Sequence, residues 1–192
     1  MQNERLTHQF RSIGKLNTRD EASDEYKISG YFIVFNSETK LGEGMFEEVA
    51  PEALVDVDLS DVRALADHDT AKVLGRTKSS TLELSVDDKG LYGEISINQN
   101  DTDAVNLYER VKRGDIDQCS FGFDILEEDY EQREDGMKWT IRKIKLFEVS
   151  VVTFPAYEDT AVSARSQQVK QIEQRQLEQR KAKLKERIQK WH

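Results

Sequence analysis

The 192-residue sequence predicts a mainly β fold of the α+β class, built as an antiparallel barrel or sandwich and followed by a C-terminal helical extension. Many short runs of β-branched and aromatic residues are separated by turn residues, whereas the body of the chain contains one convincing helix. Residues 165–190 then lack both Gly and Pro and are rich in Gln, Lys, Arg, Glu and Leu, a composition typical of helices.

The first half of the chain contains six predicted strands. Asn36 and Ser37 form a turn after the first strand, and residues 87–90 join the last two strands as a hairpin. Pro51 suits the first turn of a short helix, where its missing N–H costs nothing. The predicted strands cover residues 26–35, 43–49, 61–66, 73–76, 82–86 and 91–97.

The predicted helix of the body is Thr102–Arg113. Asp101 or Thr102 can cap its start, and Gly114 ends it. Its apolar residues recur at helical spacing and predict one buried face. They are Ala104, Leu107, Tyr108 and Val111.

The second half of the body contains two further strand regions. Residues 119–125 alternate, with Cys119, Phe121, Phe123 and Ile125 on an apolar side and Ser120, Gly122 and Asp124 on the other. The acidic segment 127–136 is expected to be an exposed hairpin end or loop. Residues 139–154 predict one long strand or two consecutive strands, ended by Pro155.

Three regions are predicted: a flexible segment 1–25, which is polar and has no period, a domain 26–165, and a basic helical extension 166–192, which differs from the acidic body in charge. The extension contains eight Lys or Arg and three Glu, a net charge of +5. Because the whole chain has a net charge of −9, the rest of the chain has a net charge of −14. An acidic body argues against nucleic acid as a partner. The apolar seven-residue pattern of the extension is too weak to predict a coiled coil. The extension is therefore either a solvated helix or a docking arm whose apolar stripe binds a partner.

Composition also excludes several kinds of site. The single Cys119 allows no internal disulfide and suits a reducing compartment. No apolar run is long enough to cross a bilayer, and the N-terminus has no signal-peptide core, so we expect a protein made and used inside a cell. The histidines His8, His68 and His192 lie far apart, so we expect no metal and no cofactor.

Ser120 is the first candidate for chemistry, because it lies on the polar side of an otherwise apolar strand. The neighbouring Gly122 lets another group approach closely on the same side. A serine hydroxyl needs a base, and His68, between Asp67 and Asp69 at the end of a strand, is the only reasonable candidate. The alternative to a catalytic role is that Ser120 is a sheet-edge serine and His68 a structural histidine.

Glu148 is the candidate that would orient the imidazole. It lies in an apolar strand, where the alternation groups it with Leu146, Ser150 and Val152, and a carboxylate there is costly unless it is paired. The alternative is a glutamate paired with a Lys or Arg across the strand. Cys119 and Ser150 are rival nucleophiles, but Cys119 is expected in the core and Ser150 has no adjacent glycine.

An ordered set of sequence blocks resembles the prohead proteases of tailed bacteriophages, from about Tyr26 to Arg165. The blocks are Ala-Asp-His-Asp at 66–69, Leu-Gly-Arg at 74–76, Gly-Leu-Tyr at 90–92, Val-Lys-Arg-Gly-Asp-Ile at 111–116, Ser-Phe-Gly-Phe at 120–123 and Phe-Glu-Val-Ser-Val-Val-Thr-Phe-Pro-Ala at 147–156. No block is decisive alone, but their order is specific.

The resemblance implies a serine endopeptidase with a β-barrel ringed by helices, related to the herpesvirus assemblins. It implies His68 as general base and Ser120 as nucleophile. The assemblins use a second histidine as third member, and because this chain has no plausible one, we assign Glu148 as the orienting acid. Gly122 is placed near the oxyanion hole, whose backbone N–H donors the sequence does not identify.

The resemblance also implies a biological setting. Prohead proteases act inside a newly assembled procapsid in the host cytoplasm, where they cut scaffold protein or the scaffold-like arm of the major capsid protein, and often themselves. The basic extension fits a docking or self-cleaved arm, and the assemblins raise the expectation of a homodimer. The rival hypothesis is a noncatalytic scaffold or capsid-assembly module on the same fold.

Overall fold

The computed structural model describes residues 9–19, 25–154 and 159–189. His8, His192 and Pro155 lie outside these ranges. Within them the chain forms ten strands, two α-helices and short 3-10 turns at Pro51–Leu54 and Thr77–Ser79. The helices are α1 (Thr102–Arg113) and α2 (Asp159–Gln189), and the strands are β1 (Gln9–Arg19), β2 (Lys27–Val34), β3 (Thr39–Gly42), β4 (Met45–Val49), β5 (Arg63–Ala66), β6 (Asp69–Arg76), β7 (Leu82–Val86), β8 (Gly90–Ser96), β9 (Gln118–Arg133) and β10 (Gly136–Val152).

The strands form one large sheet in the order β3-β4-β10-β9-β1-β2-β8-β7, with β5 paired to both β10 and β6. Most pairs are antiparallel, but β4 and β5 run parallel to β10. The predicted mainly β, α+β class is confirmed. Hydrogen-bonded pairing among the described strands does not close into a ring, so a closed barrel stays a prediction.

Strand β1 corrects the prediction for the N-terminal segment. Residues 1–25 were expected to be irregular and flexible, which is wrong for Gln9–Arg19, because this stretch pairs with β2 and β9. Two residues lie between Arg11 and Gly14, whereas one lies between their partners Phe121 and Cys119. This β-bulge breaks the alternation of polar and apolar residues, so the period-2 pattern was not visible in the sequence.

The hairpin of β9 and β10 contributes a large share of the core. Phe121 and Phe123 stack with ring centroids 4.6 Å apart, and Val149 and Val151 of β10 lie opposite Phe121 and Cys119. All of these side chains are buried in one apolar cluster. The acidic segment after Leu126 extends the hairpin towards the turn that precedes Gly136, as predicted.

Helix α1 has the predicted bounds and ends. The Asp101 side chain accepts hydrogen bonds from the backbone N–H groups of Asp103 and Ala104, and Gly114 ends the helix at a φ of 85°. Such a left-handed residue favours glycine, which has no Cβ to clash. The buried face packs on the sheet, where Tyr108 stacks on Tyr26 at 4.4 Å between ring centroids. Neither described helix is apolar enough over its length to cross a membrane.

Helix α2 begins at Asp159, earlier than predicted, and is fixed to the sheet through Arg165. The fully buried guanidinium lies 2.6 Å from Oε2 of Glu47 and 2.7 Å from Oε2 of Glu128, and it covers the Trp139 ring at 4.7 Å. Arg11 of β1 also pairs with Glu47. Beyond this anchor, Leu177 and Leu184 of α2 are exposed.

Cys119 is a core thiol, as predicted. Its Sγ lies 3.1 Å from the carbonyl oxygen of Tyr31, and burial raises its pKa from 9.0 to about 12. The neutral thiol is therefore retained at neutral pH, and thiolate chemistry is disfavoured. This location on the apolar side of β9 removes Cys119 as a rival nucleophile.

We expect Cys119 to resist iodoacetamide at pH 8 while the protein is folded and to react fully in denaturant, because the thiol is both covered and protonated. Intact-mass analysis checks this. The unfolded thiol ionises near pH 9 and the folded thiol near pH 12, so the contribution of Cys119 to stability is present below pH 9 and falls across that window. Alkylation of the folded protein at the rate of a free thiol would contradict this assignment.

Candidate active site

His68 lies in the two-residue turn that joins β5 to β6. Ala66 pairs with Asp69, so Asp67 and His68 are the central residues of the hairpin. Their φ angles are 48° and 59°. Two-residue hairpin turns of this type need positive φ at both central positions and usually contain Asn and Gly. The chain thus has Asp67 in place of the isosteric Asn and His68 in place of Gly, so His68 is a bulky residue in a left-handed conformation, a kind of strain that clusters at functional sites.

Asp67 fixes this turn to the end of β10. Its backbone N–H donates to the carbonyl oxygen of Val151 at 2.9 Å, and its carboxylate accepts from the N–H of Thr153 at 2.7 Å and from the Thr153 hydroxyl at 3.2 Å. Asp67 therefore binds the turn to the end of β10, while the imidazole of His68 contacts the sheet.

Glu148 of β10 holds that imidazole. Nδ1 of His68 lies 2.9 Å from Oε1 of Glu148, and the two side chains are 17% and 9% exposed. A carboxylate accepts hydrogen bonds, so Nδ1 carries the proton and Nε2 of a neutral imidazole has a free lone pair. Nε2 is buried and has no hydrogen-bond partner among the described residues. This tautomer is the one that a general base requires.

A second β-bulge directs Glu148 towards His68. Leu146 lies opposite Phe123 and Glu148 lies opposite Gly122, so Phe147 is an extra residue in β10. The expected alternation placed Leu146 on the same side as Glu148, and this is wrong because the bulge reverses the faces. Leu146 instead shares the core side with Phe123, whereas Glu148 lies on the side of Ser120.

Gly122 leaves the room that the Glu148 carboxylate occupies. A Cβ at this position would overlap Oε1 of Glu148 and lie 3.0 Å from its Cγ. The close approach predicted for Gly122 therefore comes from a side chain of the neighbouring strand. Gly122 pairs with Phe10 on one side and Glu148 on the other, within the sheet. Its place near an oxyanion hole stays a prediction.

Ser120 lies opposite Ser150 in the β9–β10 ladder and is fully buried. In the described part of the chain its Oγ has no hydrogen-bond partner. The structure thus places His68, Glu148 and Ser120 in one region but does not join Ser120 to His68 by a hydrogen bond. Buried polar atoms are normally satisfied, so two unpartnered atoms of this kind need an explanation.

Two contributors to the site were missed by sequence reasoning. Phe10 of β1 lies opposite Gly122, and its ring centroid is 4.2 Å from that of His68. It falls in the segment whose pattern the β1 bulge obscures. Ser150, considered only as a rival nucleophile, donates its hydroxyl hydrogen to Oε2 of Glu148. The alternation of Glu148 and Ser150 along β10 was the signal for this contact.

The family model for the caudovirus prohead serine protease matches residues 14–175. The chain belongs to this family. The match to the prohead protease family spans the site residues from His68 to Ser150, whereas Phe10 precedes it. No curated protein matches the chain.

The fold is similar to that of a solved structure, the bacteriophage T4 capsid assembly protease, gp21. The two chains share 13% sequence identity, the TM-score is 0.51, and the alignment covers 80% of this chain and 100% of the other. At this identity the similarity concerns the fold. Across the described ranges, no group of three or more His, Cys, Asp or Glu side chains has a metal-binding arrangement.

We expect Gly122→Ala to destabilise the protein by about 1–3 kcal/mol, because the new methyl group occupies the space of the Glu148 carboxylate. Glu148→Ala removes the overlapping atoms, so adding Gly122→Ala to that variant should cost much less. Denaturant unfolding of the four proteins measures this coupling. Equal costs in the two backgrounds would show that the overlap does not decide the choice of glycine.

Proposed function

We propose that the chain is a capsid maturation serine endopeptidase in which Ser120 is the nucleophile, His68 the general base and Glu148 the orienting acid. The observation that carries this proposal is the 2.9 Å contact of Nδ1 of His68 with Glu148. It leaves a buried Nε2 that, like the Ser120 hydroxyl in the same region, has no hydrogen-bond partner in the part of the chain that the structure describes. Membership of the prohead serine protease family supports the reaction class.

In the proposed reaction, Oγ of Ser120 attacks the substrate carbonyl carbon while Nε2 of His68 takes the hydroxyl proton. The imidazolium then donates that proton to the leaving amine nitrogen, and an acyl-enzyme remains. Water, deprotonated by His68, hydrolyses the ester and regenerates Ser120. Glu148 keeps the proton on Nδ1 throughout and stabilises the imidazolium. Backbone N–H groups near Ser120, with Gly122 as a candidate, would bind the oxyanion.

The proposed substrates are scaffold protein or the scaffold-like arm of the major capsid protein, and the protease itself, inside the procapsid of an infected cell. Ser120 is fully buried, so a substrate reaches it only after the surrounding chain moves. The same burial favours a second candidate, a noncatalytic assembly module in which Ser120 and His68 are structural. The two candidates differ in whether Ser120 forms a covalent bond to substrate.

We expect purified wild-type protein, incubated with the phage major capsid protein, to produce defined cleavage products. Ser120→Ala and His68→Ala should lower the rate by at least roughly 10³-fold, and Glu148→Gln by roughly 10²–10⁴-fold, since the last change removes the acceptor that fixes the tautomer. Mass spectrometry of the products measures the rates and identifies the cut sites.

Ser29→Ala is the matched control for these variants, because Ser29 is a buried serine on β2, which does not pair with β10. It should cleave at the wild-type rate. Equal behaviour of wild type and Ser120→Ala with capsid protein present would reject the protease and favour the assembly module.

We also propose that the basic part of α2 docks the protease to its shell or scaffold partner. Lys181, Lys183 and Lys185 lie on the exposed part of the helix, beyond the Arg165 anchor. Deletion of residues 166–192, or replacement of these three lysines by glutamate, should reduce packaging into procapsids at least several-fold and leave peptide cleavage unchanged, because charge attraction to an acidic partner is lost.

The matched control replaces the same three lysines by arginine and should be packaged normally. Quantitative blotting of purified procapsids measures packaging. Normal incorporation of the glutamate variant would reject docking through charge. The expected homodimer is a separate proposal, which light scattering of the purified protein tests directly.

A further inference from the structure

Ser150 has a contact that the proposed triad does not use. Its hydroxyl donates to Oε2 of Glu148, while Oε1 of the same carboxylate holds Nδ1 of His68. Each oxygen of Glu148 therefore has one partner in the site. Ser150 is itself fully buried, and it lies between Leu65 of β5 and Ser120 of β9 in the sheet.

A carboxylate needs such a second contact to present one oxygen in a fixed direction. The last torsion of a glutamate side chain is broad, and side-chain packing alone holds the carboxylate plane weakly. Gly122 offers no side chain against which the carboxylate could rest. A hydrogen bond to Oε2 from a strand paired on both sides sets the plane and leaves Oε1 directed at His68.

We propose that Ser150 is a positioning residue, whose hydroxyl fixes the plane of the Glu148 carboxylate so that the carboxylate in turn fixes the His68 imidazole for proton transfer. This inference rests on the proposed function. Ser150 does not touch the reacting atoms in this role, and it acts through Glu148 alone.

The test measures how fast diisopropyl fluorophosphate labels Ser120 in the full-length protein. The Ser120 oxygen forms a bond to phosphorus, the P–F bond breaks, fluoride leaves, and His68 takes the hydroxyl proton. Ser150→Ala should lower the maximal labelling rate by roughly ten- to a hundred-fold, the loss expected for one hydrogen bond to a charged group, without changing half-saturation. Intact mass and peptide mapping follow the reaction.

Two further variants separate positioning from packing. Ser150→Thr keeps the hydroxyl and should recover most of the rate, whereas Ser29→Ala removes a buried hydroxyl elsewhere and should label as wild type. An unchanged rate for Ser150→Ala beside an unlabelled Ser120→Ala would overturn the positioning role and leave the protease intact. A slow Ser150→Thr, or an equally slow Ser29→Ala, would overturn it in favour of packing. Wild type that stays unlabelled at Ser120 under conditions in which it cleaves capsid protein would remove Ser120 as the nucleophile, and with it this inference.

Discussion

The antiparallel register of β9 against β10 is the constraint on which the candidate site depends. It places Ser120 opposite Ser150 and Gly122 opposite Glu148, while the intervening residues Phe121 and Val149 enter the core. Because side chains alternate across a sheet, a slip of one residue would exchange the polar side for the apolar side. The core and the site are therefore specified by the same ladder.

Two glutamates are buried in the described part of the chain, and their surroundings differ in a way that separates structure from proposed chemistry. Burial alone would raise the pKa of Glu47. The guanidinium groups of Arg11 and Arg165 lower the pKa by more than burial raises it, so the pKa of Glu47 is below its ordinary value. Glu47 thus joins β4, β1 and α2 as a charged anchor. Glu148 instead contacts an imidazole and a hydroxyl, and the Lys or Arg partner considered from the sequence is not among its described contacts. Of the two glutamates, only Glu148 contacts a histidine and can hold its imidazole in one tautomer.

Local patterns in the sequence were sufficient for much of the fold. The caps of α1, the hairpin before Gly90 and the alternation from Cys119 to Ile125 all follow from rules that act within about ten residues. Strand β1 and the true face of Leu146 were not predictable in this way, because each depends on a bulge that interrupts the period of two. His68 and Glu148 are 80 residues apart, and chemical need, rather than any local pattern, suggested their contact.

Part of the cost that the fold tolerates lies around His68, and other unpartnered or left-handed positions of the described chain lie elsewhere, at Nε of Arg165 and at Asn36 and Ser80. Oγ of Ser120 and Nε2 of His68 have no hydrogen-bond partner among the described residues, and a buried polar atom left in this way costs about 1–3 kcal/mol; positive φ at Asp67 and His68 adds a similar amount. An Asn-Gly turn would remove the strain, and alanine at position 120 would remove an unsatisfied hydroxyl. A scaffold module that used these residues only for packing would gain stability from such changes. Their presence together, beside a carboxylate that holds the imidazole, therefore favours a site whose arrangement is retained for chemistry over one retained for stability.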